Sequence, residues 1–223
     1  MVLSAVITSE GYVFMSTIKQ PVSLAGSVLR RTCHACAFFH SREEEYNVLL
    51  PFAKEGFERG EKLFHVVDRD HRAERLRRLD EAGIGTSEPN GQVEVRPWQD
   101  AYLRGSRFDQ YAMLSLIGEA LECGKSDGYG LTRLWANMEW ALEEMPGVED
   151  LVEYETRLNY ILPKYDDVVV CTYDLNKFGA GMVMDIMRTH PMVIIGGMLQ
   201  ENPFFVPPDE FLRELQGRAA TAG

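Results

Sequence analysis

Five short runs of apolar residues, each followed by a stretch with helical spacing, constrain this chain more than any other feature. The runs are Cys33 to Phe39, Leu63 to Val67, Leu131 to Ala136, Asp167 to Tyr173 and Pro191 to Ile195. Several are apolar throughout rather than alternating, which is the pattern of strands covered on both faces. Between them lie amphipathic segments, the first capped at Ser41 and ending near Gly56 to Gly60 and the others at 71–82, 108–121, 152–161 and 182–188, with a last helix over 209–216. Gln92 to Arg96 alternates and reads as a further strand. Strands that take turns with helices build a mostly parallel sheet with helices on both faces. The expected fold class is therefore α/β. No Pro-, Gly- or Ser-rich linker, internal repeat or low-complexity run divides it.

Local signals refine the boundaries. Ser41 followed by Glu44 is a capping box: the hydroxyl accepts an early helical N–H and the carboxylate reaches back to the cap. Residues 1–31 form an N-terminal extension, with a small hairpin around Glu10-Gly11. Met15 reads as an alternative start. The main domain spans 32–217, and 218–223 is a flexible tail. The run from His71 to Arg78 reads as a solvated basic helix face. Met182, Met184 and Met187 read as core packing.

Composition narrows the function. The 223 residues carry a net charge of −11, which opposes direct nucleic-acid binding. No apolar stretch reaches the roughly 18 residues that span a bilayer, and the first residues lack a signal-peptide pattern. Four cysteines, at 33, 36, 123 and 171, are too few for a disulfide framework. A reduced, cytoplasmic chain follows from these facts.

In an open α/β sheet, ligands sit outside the carboxyl ends of the strands. Those ends fall after Phe39, at Asp68, at Asn137 to Glu139, at Tyr173-Asp174 and at Gly196-Gly197. A phosphate loop needs glycines and a Lys-Ser/Thr pair. The first strand-to-helix turn, Phe38 to Glu45, has neither, and three glutamates stand where phosphates would bind. ATP hydrolysis is not expected, and neither is any other catalysis, since no triad is recognisable. His34 and Cys36 share one strand face. With Cys171, and with Cys33, His65 or His190 to complete the set, they offer soft ligands for a metal or haem. Buried cysteines and histidines that merely pack are the plainer alternative. Glu139 and Asp174, beside Trp135, Trp140 and Tyr173, form either a partly desolvated pocket or an ion pair with Arg133 or Arg157.

The run His34-x-Cys36-x-Phe38-Phe39 is followed by Leu49 to Phe52, Gly56-Phe57, Gly60-Glu61 and Val66-Val67-Asp68. Arg133 to Trp140, Tyr154-Glu155-x-Arg157-Leu158-Asn159, Val170 to Asp174, His190-Pro191, Asn202-Pro203 and Val206 to Pro208 complete the series. Together, over about residues 25 to 215, they resemble the MEDS domain, a methanogen/methylotroph, DcmR-type sensory domain. Residues 50–68 also resemble RecA/KaiC-type ATPases, which implies that fold without its phosphate loop. The resemblance implies a non-catalytic signal-input domain for small hydrocarbon derivatives. Its partner would be a regulator of the kinase, STAS/anti-sigma or transcription-factor type. It makes His34, Cys36, Asp68, Glu139, Cys171, Tyr173, Asp174 and His190 the candidate ligand-binding residues. No helix-turn-helix or kinase segment is visible, so the output is another protein or the chain is a piece of a longer one. Two further readings stand beside it: a metal or haem sensor built on His34, Cys36 and Cys171, and a ligand-free homo-oligomer akin to KaiC-like rings.

Overall fold

The computed structural model describes residues 5–8, 11–14, 17–86, 91–102 and 107–222, with side chains from 20 to 220. Glu10 and Met15 lie outside them. Eleven strands are described: β1 (Ala5–Thr8), β2 (Gly11–Phe14), β3 (Thr17–Leu24), β4 (Ser27–Arg31), β5 (Cys33–Phe39), β6 (Lys62–Val67), β7 (Val93–Pro97), β8 (Thr132–Asn137), β9 (Val168–Asp174), β10 (Met192–Ile195) and β11 (Met198–Glu201). The α-helices are α1 (Arg42–Glu58), α2 (Arg69–Glu81), α3 (Gln110–Ser126), α4 (Leu151–Leu158), α5 (Ala180–Thr189) and α6 (Pro208–Ala222).

Seven strands form one sheet in the order β11-β10-β5-β9-β8-β6-β7, parallel except for β11. From β5 the chain moves one way, through β6 to β7, and then returns through β8 and β9 to β10. Crossovers keep one hand, so reversing direction puts the later helices on the opposite face. Accordingly α1 and α2 cover one side, against Ala35, Leu49, Phe52 and Leu79, while α3, α4 and α5 cover the other. The two faces read alternately along β5: Cys33, Ala35, Ala37 and Phe39 face α1, whereas Cys36 and Phe38 face α4. Strand β5, flanked by β9 and β10, is therefore where the winding reverses.

Several expectations change in three dimensions. β1 and β2 pair antiparallel. A second hairpin, β3–β4, was not read from the sequence. It buries Val22 and Leu24 beside Leu49 and Phe52, so the extension joins the core. Gly196 and Gly197 directly follow the end of β10. With φ of 57° and 73°, they make the tight turn between β10 and β11, a conformation glycine adopts without strain. The expected tail from 218 stays helical to Ala222, and Arg218 pairs with Asp185 at 2.8 Å. Arg75, read as solvated, is buried between Glu45 and the face of Trp135, 3.5 Å from the ring centroid. Met182 and Met184 are exposed rather than packed, because α5 turns that edge outward.

Candidate functional site

The α4-facing side of the sheet holds a buried polar cluster of His34, Glu155, Cys171 and His190, whose donor atoms all lie within 4.8 Å of one another. Four elements supply it: β5 gives His34, β9 gives Cys171, α4 gives Glu155, and the α5–β10 junction gives His190. Glu155 Oε2 is the common point. It lies 3.3 Å from His34 Nε2, 3.3 Å from His190 Nε2 and 3.7 Å from Cys171 Sγ. Cys171 Sγ is 3.8 Å from His34 Nε2, and the two imidazole rings stack at 4.1 Å. Glu155 and His190 are 0% exposed, so bulk solvent does not reach them.

The outward ring nitrogens fix the tautomers. Asn159 donates its Nδ2 protons to the carbonyls of Glu155, Thr156 and Thr189, which leaves its Oδ1 as an acceptor. His34 Nδ1, 3.1 Å away, is therefore the donor. His190 Nδ1 lies 3.0 Å from the Ile186 carbonyl, which can only accept. Both rings therefore turn Nε2 toward the same carboxylate oxygen. The other oxygen, Oε1, accepts a 2.9 Å hydrogen bond from the Tyr173 hydroxyl.

Burial raises the Glu155 carboxyl pKa, but the two imidazoles outweigh it and hold the group below its usual range. Burial, and then the neighbouring His190, lower His34. Burial followed by the Glu155 charge pushes Cys171 well above an ordinary thiol. Burial does the same to Cys36, whose Sγ faces the Met192 carbonyl at 3.7 Å. These thiols are not poised as free nucleophiles.

Of the eight residues expected at a pocket, the structure unites His34, Cys171, His190 and Tyr173, with Cys36 paired directly across from Cys171. Cys33 and His65 point to the opposite face and cannot complete the set, since side chains alternate along a strand. Glu139, Asp174 and Tyr173 line a separate small hollow at the carboxyl ends of β5, β8 and β9. It encloses about 10 Å³. Glu139 accepts from Asn137 Nδ2 at 3.3 Å and pairs with Arg42 at 3.5 Å and with Lys177, not with Arg133 or Arg157. Tyr173 belongs to both places. Asp68 belongs to neither: it caps α2 by accepting from Asp70 N at 3.1 Å. Glu155 and Asn159 were overlooked as site residues, although the run Tyr154 to Asn159 carried them. The available signal was two polar residues one turn apart on a helix stripe otherwise made of Leu151, Tyr154 and Leu158.

The place of a phosphate loop is filled by the chain itself. Ser41 caps α1, and Glu44 reaches back to His40 N at 2.8 Å, one residue before the cap. Glu45 turns inward and accepts from Trp135 Nε1 (2.7 Å), Arg75 (3.0 Å) and Thr172 Oγ1 (3.2 Å). Carboxylates satisfy the positive end of this helix.

The chain is similar to several known proteins. The family described as MEDS, the methanogen/methylotroph, DcmR sensory domain, matches residues 33–191. The transcriptional repressor DcmR of Methylorubrum extorquens is 23% identical over 168 residues, covering 75% of this chain and 61% of that protein. A crystal structure of the KaiC-like protein PH0186 from Pyrococcus horikoshii superposes with a TM-score of 0.56 at 13% identity, covering 80% of each chain. The flagellar accessory protein FlaH of Methanocaldococcus jannaschii gives 0.46 at 13% identity, over 75% of this chain and 76% of that one. The first superposition makes the fold RecA/KaiC-like. Among the described residues no helix is long and apolar enough to cross a membrane.

Proposed function

The chain belongs to the MEDS family of sensory domains, and on that premise we propose that it is a cytoplasmic, non-catalytic input module for a small organic molecule of the hydrocarbon-derived class. It passes the event to a regulatory protein partner. One observation carries this reading: Tyr173 lines the hollow at the strand ends and also donates its hydroxyl to the buried Glu155. A molecule that displaces Tyr173 disturbs the carboxylate on which His34, His190 and α4 converge. The hollow has room for about one water, so ligand entry must widen it. That requirement supplies two states for a signal to choose between.

The filled helix terminus at Ser41 to Glu45 supports the absence of phosphoryl chemistry. A net charge of −11 favours a protein partner over DNA. The relative's description as a transcriptional repressor supports an output of the transcription-regulator class, and this chain spans 61% of that protein's length.

The test is isothermal titration against short alcohols, ketones and halocarbons, with hydrogen exchange of α4 and α5 as the second readout. At least one compound should bind, weaken with Glu139→Ala and alter exchange in α4. With Tyr173→Phe the ligand should still bind but leave α4 unchanged. Silence across the whole panel would end the small-organic reading.

A further inference from the structure

Four potential metal donors converge at Glu155. The Nδ1 of each ring is taken up, by Asn159 Oδ1 for His34 and by the Ile186 carbonyl and Thr189 Oγ1 for His190, so both Nε2 atoms face Glu155 Oε2 at 3.3 Å. Cys171 Sγ lies 3.7 Å from the same oxygen. His190 Nε2, fully buried, has no aligned hydrogen-bond partner.

We propose that His34 Nε2, His190 Nε2, Glu155 Oε2 and Cys171 Sγ form a closed site for one borderline-soft divalent transition ion of the zinc class. This site is separate from the hollow, with which it shares only Tyr173 as an outer partner. Metal–donor bonds of about 2.0–2.3 Å in a tetrahedron put neighbouring donors about 3.3–3.6 Å apart. Four of the six donor separations are 3.3, 3.3, 3.7 and 3.8 Å, and all six lie within 4.8 Å, so the donors must draw together to close the shell. The outer partners are those that such ligands need. Each histidine gives its other N–H to an oxygen acceptor, and Tyr173 holds Oε1 so that the carboxylate binds through Oε2 alone. Two imidazoles, a thiolate and a carboxylate favour zinc or cobalt over magnesium or calcium, which require oxygen ligands. With four protein ligands and no open position, the ion ties β5, β9, α4 and the α5–β10 junction together rather than doing chemistry. Coordination converts the Cys171 thiol to thiolate, and its proton passes to buffer.

The experiment is Co²⁺ and Zn²⁺ titration of the full chain carrying Cys123→Ser, which removes the exposed thiol. It is run on native protein and on protein refolded with metal. One equivalent should bind, with the visible spectrum of tetrahedral cobalt and a thiolate charge-transfer band. Cys171→Ser should abolish that band. Tyr173→Phe, which leaves all four ligands in place, should weaken affinity about 10-fold. Failure to bind in either preparation overturns the proposal, as does a charge-transfer band that survives Cys171→Ser. Metal uptake without any response to the organic panel would remove only the hollow's ligand, and the converse would remove only the metal site.

Discussion

Glu155 illustrates how one side chain can decide a local structure. Its carboxylate is fully buried and faces two histidines, a thiol and a tyrosine hydroxyl. Removing one partner of such a group strands the others without water. Glu155→Ala should cost metal-free protein about 3–5 kcal/mol in urea unfolding, as breaking buried pairs does. Glu155→Gln should cost less, because its amide can still accept from Tyr173 and can donate to one Nε2. Equal losses from both substitutions would show that the carboxylate charge, not packing volume or neutral hydrogen bonding, is what the position supplies. His34, His190 and Cys171 were legible as candidates from residue type alone. Glu155 was not, because a glutamate on a helix is usually solvated and its facing direction is set by docking.

At the scale of elements, the amino end of β9 carries the opposite kind of carboxylate. Asp167 accepts from Thr132 N at 2.5 Å, yet burial pushes its pKa from 3.8 to about 6. A carboxyl whose folded value is raised gives stability that is full below the unfolded value and is lost as pH rises through the folded one. Asp167→Asn keeps an oxygen for Thr132 but cannot ionise. Relative to wild type it should gain about 1–3 kcal/mol between pH ~4 and above ~6. Thermal unfolding across that range checks it, and a difference that does not change with pH would contradict it. The first turn of α1 repeats the lesson. Its three glutamates were readable as a substitute for phosphate, but only the fold turns Glu45 beneath the sheet to meet Trp135, Arg75 and Thr172.

For the whole molecule, the sheet is RecA/KaiC-like, and the turn from β5 into α1 is filled by internal pairs. ATP with magnesium should therefore produce no saturable shift in Tm. A concentration-dependent rise of the kind that specific ligands cause would restore a nucleotide function. The organisation of the chain was legible because short apolar runs alternating with amphipathic helices permit few architectures. The β3–β4 hairpin and the return strand β11 were not, since none of these strands carries a long apolar run and all gain their pairing from the core they cover.

By itself the sequence determined the α/β class, the family, the missing phosphate loop and a short set of reactive residue types. Periodicity, composition and motif order are local properties that survive without coordinates. Tertiary structure alone decided which of those residues meet. It brought His34, Glu155, Cys171 and His190 from 156 residues of chain separation to within 4.8 Å, and it left Asp68 as a helix cap. The reason is that meeting depends on strand order and on which face each helix covers, and a one-residue change of register in β5 or β9 would send His34 or Cys171 to the other side of the sheet.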